Sequence, residues 1–251
     1  MADQEKMPFL SHLEELRKRL ISCVIAVALC FAICYYFSES LFQFLIQPLK
    51  AAMPEGSHLV FTGLPEMFVT YLKVAFVGGV LLAAPFLFYE IWMFVAPGLY
   101  RHEKKLVAPF VASSTILFVG GTLFGYYIAF PFGFKFLMGY SSEYVKPLPS
   151  AIEYFNFSLK LLFAFGIIFE VPIFIFFLAR LGIVTTDNLK KSRKYAILGA
   201  FIVAAILTPP DVVSQFIMAG PLIVLYEAGI LISKMAKSSK AQDKEKTEAG
   251  R

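Results

Sequence analysis

Long apolar runs separated by short polar stretches set the pattern of this chain. The runs fall near residues 20–37, 68–89, 106–130, 161–179, 195–207 and 212–232. A membrane-spanning helix needs roughly 20 mostly apolar residues, so six transmembrane helices are expected. The fifth run is short: its thirteen residues, at about 1.5 Å each, reach ~20 Å against a hydrocarbon core of ~30 Å. The sixth follows after only Thr208-Pro209-Pro210-Asp211, so the bilayer thins there or the pair shelters against other helices.

Ahead of the first span, residues 8–20 read PFLSHLEELRKRL. Phe9, Leu13, Leu16 and Leu20 recur every three or four positions and form one apolar stripe of an amphipathic helix. Ser11 and Glu14 have capping-box spacing, and Glu14–Lys18 and Glu15–Arg19 are i,i+4 pairs in the favourable order. Leu20-Ile21-Ser22-Cys23 superficially fits a lipoprotein cleavage box, but Arg17, Lys18 and Arg19 stand where an apolar region would have to precede that cysteine, and no small-residue cleavage site follows Phe37. The first run is therefore read as a retained span.

Pro85, Pro109, Pro172 and Pro221 lie within the runs. Each removes a backbone donor and clashes one turn back, which predicts kinked helices around a concave, cup-like face. Gly121 and Gly125 have GxxxG spacing and read as close helix packing. The two halves show no repeat of the kind found in inverted-repeat transporters.

Composition narrows the class. The 251 residues are 58% hydrophobic and 16% charged, against about 45–50% and about 25% in soluble domains. An integral, all-α membrane protein follows, with lipid as its principal surroundings. A nucleic-acid binder, a disordered scaffold and a disulfide-rich module are excluded. Cys23, Cys30 and Cys34 fall in one apolar run and read as small buried hydrophobes; no metal or cofactor is expected.

Charge sets the expected topology. Lys and Arg number four before residue 20, three in 90–105, five in 180–194 and six after 232, eighteen in all. The alternate loops hold only Lys50, Lys135 and Lys146. By the positive-inside rule both termini are cytoplasmic. Lys73 and Lys160 read as snorkelling near outer span ends. The domain division expected is an N-terminal amphipathic helix over 1–20, a membrane domain over 20–235 and a flexible tail over 236–251.

Two acids stand out on the cytoplasmic side. The segment from Phe94 to Glu103 turns at Pro97-Gly98 and presents an apolar patch followed by a carboxylate. With Glu15 it supplies two carboxylates and an aromatic surface, a combination suited to guanidinium groups followed by apolar residues. Carboxylates bind Arg bidentately and discriminate against Lys by geometry. His12 and His102 lie on the same side and read as satisfied polar residues, since a metal would require a defined third and fourth ligand.

Glu170 lies inside the fourth run, next to Val171-Pro172. An ionisable residue at that depth costs at least a few kcal/mol and points to function: a proton or ion site, or a docking point for another transmembrane helix, the plainer alternative being a protonated or locally paired glutamate held by the backbone groups that Pro172 frees. Asp211, with Ser214 and Gln215, stands at the outer entry of the sixth span, where a helix cap is the simplest reading. Glu227 reads as a snorkelling residue.

At these residues the chain resembles the TatC family, the multispanning core subunit of the twin-arginine protein translocase. The resemblance runs from about residue 8 to 235 and is carried by HLEELRKRL (His12 to Leu20), FVAPGLYRHE (Phe94 to Glu103), AFGIIFEVP (Ala164 to Pro172) and LTPPDVVSQ (Leu207 to Gln215). It implies a receptor for twin-arginine signal peptides that exports folded proteins across the bacterial cytoplasmic membrane, driven by the proton motive force without a nucleotide. By motif position Glu15, Arg17, Phe94 and Glu103 would form the signal-peptide site. Glu170, Asp211 and Gln215 would lie where the family engages the single-span partners TatA and TatB in a multiprotomer complex. Pro48, Pro85 and Pro172 would be structural.

Two other classes were weighed. A proton-coupled solute transporter using Glu170 is disfavoured by the missing repeat and by acids at the cytoplasmic surface. A polytopic enzyme is disfavoured because the spans hold no Ser/His/Asp, HExxH or paired-aspartate constellation.

Overall fold

The computed structural model describes the backbone over residues 3–53, 58–61, 63–95, 107–139, 148–208 and 211–249, and side chains over the same residues except 3–10 and 236–249. Every regular element among them is helical: α1 (Asp3–Tyr36), α2 (Ser38–Ala52), α3 (Glu66–Val95), α4 (Val107–Phe124), a π-helical turn (Gly125–Ala129), α5 (Phe130–Met138), α6 (Ala151–Phe169), α7 (Val171–Leu181), α8 (Thr186–Lys191), α9 (Arg193–Leu207) and α10 (Val212–Ala249). An isolated bridge joins Val60 and Ser150.

Five stretches are long and apolar enough to cross a membrane: Ser11–Tyr36, Glu66–Val95, Val107–Met138, Ala151–Leu181 and Val212–Met235. The remaining expected span is α9, whose 15 residues give about 22 Å of helix. The protein is thus an all-α, multi-pass membrane protein.

The chain divides into two compact units. The first comprises Met1–Gln47, His58–Ile116 and Pro149–Leu159; the second comprises Pro48–Ser57, Leu117–Leu148 and Lys160–Arg251. In the first, α1 lies along α3. An added Cβ at Gly79 would stand 2.8 Å from the backbone of Phe31, so the missing side chain permits this approach. Gly78 faces Cys34, which is buried as a small apolar side chain in the seam. Trp92 of α3 stacks on Phe110 of α4, centroids 4.5 Å apart, and its indole N–H donates to the buried Ser114 hydroxyl at 3.1 Å.

In the second unit, Ile175, Leu189 and Ile230 form a buried cluster joining α7, α8 and α10. The Tyr226 hydroxyl donates to the Leu189 carbonyl at 2.9 Å, and Thr186 and Ser233 share a 2.9 Å hydrogen bond. The Gly121/Gly125 pair packs inside this unit: a Cβ at Gly121 would fall 2.5 Å from the Phe165 carbonyl oxygen, and one at Gly125 would fall 3.1 Å from the Phe165 ring. The GxxxG spacing therefore serves helix packing within the chain.

Several expectations are revised. The amphipathic segment and the first span form one helix beginning at Asp3, so Ser11 lies in its interior and is not its N-cap. The residues from Asp3 to Met7 include several good helix formers, with an acid in the first turn, which extends the helix upstream. The stretch read as an outer loop after Phe37 contains α2, which buries Leu45, Ile46 and Leu49, a three- and four-residue periodicity. Pro109 and Pro172 fall in the first turn of their helices, where no intrahelical donor is lost. Of the four prolines placed in the apolar runs, Pro85 and Pro221 are helix-interior, and Pro48 lies inside α2.

Candidate functional site

The site grows out of the antiparallel contact of α1 with α3. His12, Glu15 and Arg19 are spaced i, i+3 and i+7, one face of α1; Glu90 and Phe94 are spaced i and i+4 on α3. The ring of His12 lies flat on Phe94, with centroids 4.4 Å apart and planes 11° from parallel. Seven positions further along α1, Arg19 Nη1 donates to Glu90 Oε2 at 2.8 Å.

Arg19 also turns its Nε and Nη2 onto Glu15 Oε1, at 3.0 and 2.6 Å. One guanidinium therefore bridges two carboxylates on different helices, using both the forked edge and the remaining amino group. The second oxygen of Glu15 faces His12 Nδ1 at 3.9 Å, beyond hydrogen-bond distance. Burial grades across the cluster: the side chain of Glu90 is 12% exposed, Arg19 19%, Glu15 34% and His12 48%. Glu90 is the deep member, and Glu15 with His12 forms the accessible rim.

Arg17 is exposed and, two positions from Glu15 and from Arg19, points away from their face. Glu14 pairs with Lys18 at 3.1 Å. Glu103, His102 and the Pro97-Gly98 turn lie outside the described residues.

Arg19 and Glu90 were not singled out from the sequence. Ending the second span at 89 placed Glu90 in a loop, whereas α3 runs to Val95. An acid within an apolar helix was the signal available, the same one that flagged Glu170.

A second acid missed from the sequence is Glu66, 8% exposed. Its Oε2 accepts from the Gly63 amide at 3.0 Å, and its Oε1 accepts from the Ser150 hydroxyl at 3.1 Å and the Ile152 amide at 3.4 Å. Beside the Val60–Ser150 bridge, this carboxylate clips the segment before α3 to the start of α6. Nearby in the same unit Tyr154 donates to the Leu45 carbonyl at 2.6 Å, and Lys73 Nζ donates to Asn156 Oδ1 at 2.7 Å.

In the second unit, Glu170 occupies the break between α6 and α7, with φ −74° and ψ −15°, and Pro172 is in the first turn of α7. Asp211 caps α10: its Oδ1 accepts from the Ser214 amide at 2.7 Å. Gln215 Nε2 donates to the Phe201 carbonyl at 3.2 Å, tying α10 to α9. Lys160 Nζ donates to the Ile206 carbonyl at 2.7 Å, satisfying one of the orphan acceptors at the end of α9. Glu227 accepts from Arg193 at 2.7 Å.

A cavity of about 650 Å³ opens in the first unit between α3 and α4, lined by Pro85, Tyr89, Val107, Val111, Thr115 and Ile116 among others. Its walls are apolar and bring no acid–base pair together. Among the described residues no three His, Cys, Asp or Glu side chains converge as a metal site.

These features define a polytopic helical membrane protein with a carboxylate–guanidinium cluster where α1 meets α3. The family model described as Sec-independent protein translocase protein (TatC) matches residues 11–221. The chain is 52% identical over 243 residues to the Sec-independent protein translocase protein TatC of Desulforapulum autotrophicum, covering 97% of this chain and 90% of that protein. It is 39% identical over 234 residues to the TatC protein of Escherichia coli K12, covering 93% and 91%. It superposes on the crystal structure of a twin-arginine translocase receptor, TatC, with a TM-score of 0.81 and 38% identity, over 90% of this chain and 99% of that one. The chain belongs to the TatC family. It is a membrane component of the Sec-independent protein translocase, a family without catalytic activity of its own.

Proposed function

We propose that this chain is the receptor subunit of a twin-arginine translocase: it binds the arginine pair of a signal peptide at the α1–α3 cluster and takes part in export of the folded passenger. The observation that carries this reading is Glu15, whose carboxylate holds a guanidinium through two N–H donors beside the accessible His12–Phe94 stack. A planar fork suits that carboxylate, and a lysine ammonium cannot reproduce it. Glu103 supplies a second carboxylate and Arg17 belongs to the same recognition segment. The family relationship supports the same assignment.

In this reading the membrane is the bacterial cytoplasmic membrane, both termini are cytoplasmic as the Lys/Arg asymmetry requires, and the proton motive force drives transport. The chain up to residue 20 contributes to recognition, residues 20–235 form the membrane domain, and 236–251 form a tail. Glu170, Asp211 and Gln215 meet TatA and TatB within a multiprotomer assembly; Pro48, Pro85 and Pro172 shape the helices.

The test is binding of a twin-arginine signal peptide to the purified protein in detergent, beside the same peptide with both arginines changed to lysine. Tight binding of the arginine peptide alone, lost in Glu15→Ala and Glu103→Ala, is expected. Equal binding of both peptides would overturn the reading.

A further inference from the structure

The cluster on α1 and α3 contains its own arginine, and the way that arginine is shared has a consequence for any guest. Arg19 places two donors on a single oxygen of Glu15 and a third on Glu90. Glu90 is the more buried of the two acids and Glu15 the more accessible. Two carboxylates face one guanidinium here. Among the described residues the nearby titratable groups do not redress the balance: His12 reaches Glu15 only at 3.9 Å, Lys18 is paired with Glu14, and Arg17 points from another face of the helix. The cluster therefore has acceptor capacity and negative charge for one more guanidinium, at its accessible rim.

We infer that Arg19 is a placeholder for the guest arginine: in the empty receptor it is shared between Glu15 and Glu90, and when a guest guanidinium arrives Arg19 is retained by Glu90 and yields Glu15. Glu90 is then a positioning residue. It never touches the guest, but it holds Arg19 back from Glu15 and so sets how strongly the receptor competes with itself. The physical reason is the valence of the two partners. A guanidinium offers five N–H donors in a fixed fork, so Arg19 remains satisfied on Glu90 while a second fork takes Glu15. With Glu90 neutralised, the whole charge of Arg19 falls on Glu15, and a guest must break a full ion pair to enter.

This inference rests on the receptor reading above, and its test separates the two. Affinity of the twin-arginine peptide is measured on the full chain in detergent for wild type, Glu90→Gln, Arg19→Gln/Glu90→Gln and Glu15→Gln, with the twin-lysine peptide as control. The expected loss in Glu90→Gln is about tenfold, the scale of one charge-assisted hydrogen bond, and the double variant binds at least as tightly as wild type because the rival is removed along with its anchor. A merely structural Glu90 gives the opposite order, the double variant binding no better than the single one, and that result overturns the proposal. If Glu90→Gln does not fold, the double variant decides alone: affinity equal to or tighter than wild type supports the placeholder, and a tenfold loss refutes it. If wild type fails to prefer the arginine peptide, the receptor reading falls and this inference falls with it. If wild type discriminates and the double variant does not recover, only the placeholder is wrong.

Discussion

His12 and Phe94, 82 positions apart, stack face to face at 4.4 Å, and this contact fixes an aromatic shelf beside the Glu15 carboxylate. An aromatic pair of this kind is worth about 0.5–1.5 kcal/mol beyond its buried area. The shelf belongs to the family-matched segments at both ends: His12 opens the N-terminal motif and Phe94 opens the one that leads to Glu103.

Replacing Phe94 with alanine is expected to weaken binding of the twin-arginine peptide by roughly 3- to 10-fold, the equivalent of that stacking energy, while Phe94→Tyr, which preserves the ring, retains most of the affinity. Fluorescence anisotropy with a labelled peptide measures both. Unchanged affinity in Phe94→Ala would remove the ring from the site.

Glu66→Ala should destabilise the protein by about 2 kcal/mol or more, since the buried Ser150 hydroxyl and the Gly63 and Ile152 amides lose their acceptor and each unsatisfied group costs about 1–3 kcal/mol. Glu66→Gln keeps one acceptor and should lose less. Thermal unfolding in detergent ranks the three proteins; a melting temperature unaltered by alanine would show that the clip contributes nothing.

The packing of α4 on α6 makes a graded set of glycine substitutions informative. At Gly121 a methyl group would meet the Phe165 backbone, whereas nothing lies within 4 Å of one at Gly120. Overpacking of this kind costs about 1–3 kcal/mol, so Gly121→Ala should lower the melting temperature and Gly120→Ala should not. Equal behaviour of the two would contradict the close approach.

Glu170→Ala is expected to leave peptide affinity unchanged, because the proposed recognition cluster draws only on residues of the first unit, and to reduce co-purification of the single-span partners proposed for this residue. Should the substitution instead abolish folding, the carboxylate at the α6–α7 break is structural. Glu170→Gln separates the cases further: it keeps hydrogen-bonding capacity and loses the proton-carrying acid.

Much of this protein was determined by its sequence alone. Apolar runs of membrane length can exist in lipid only as helices or closed barrels, and their helical composition and length leave the all-α class. Local spacing was equally legible: the i,i+4 pairs Glu14–Lys18 and Glu15–Arg19 form as written, Asp211 caps the helix it precedes, and the Gly121/Gly125 pair serves close packing. These are interactions between neighbours in the chain, or consequences of composition, and need no knowledge of the fold. Glu90 and Glu66 required the tertiary structure. Their partners lie 71 and 84 positions away, and sequence spacing carries no information about which helix will face which. The same holds for Arg19: its pairing with Glu15 follows from helical periodicity, but only the packing of α1 on α3 brings a second carboxylate to it and turns a local ion pair into a shared one.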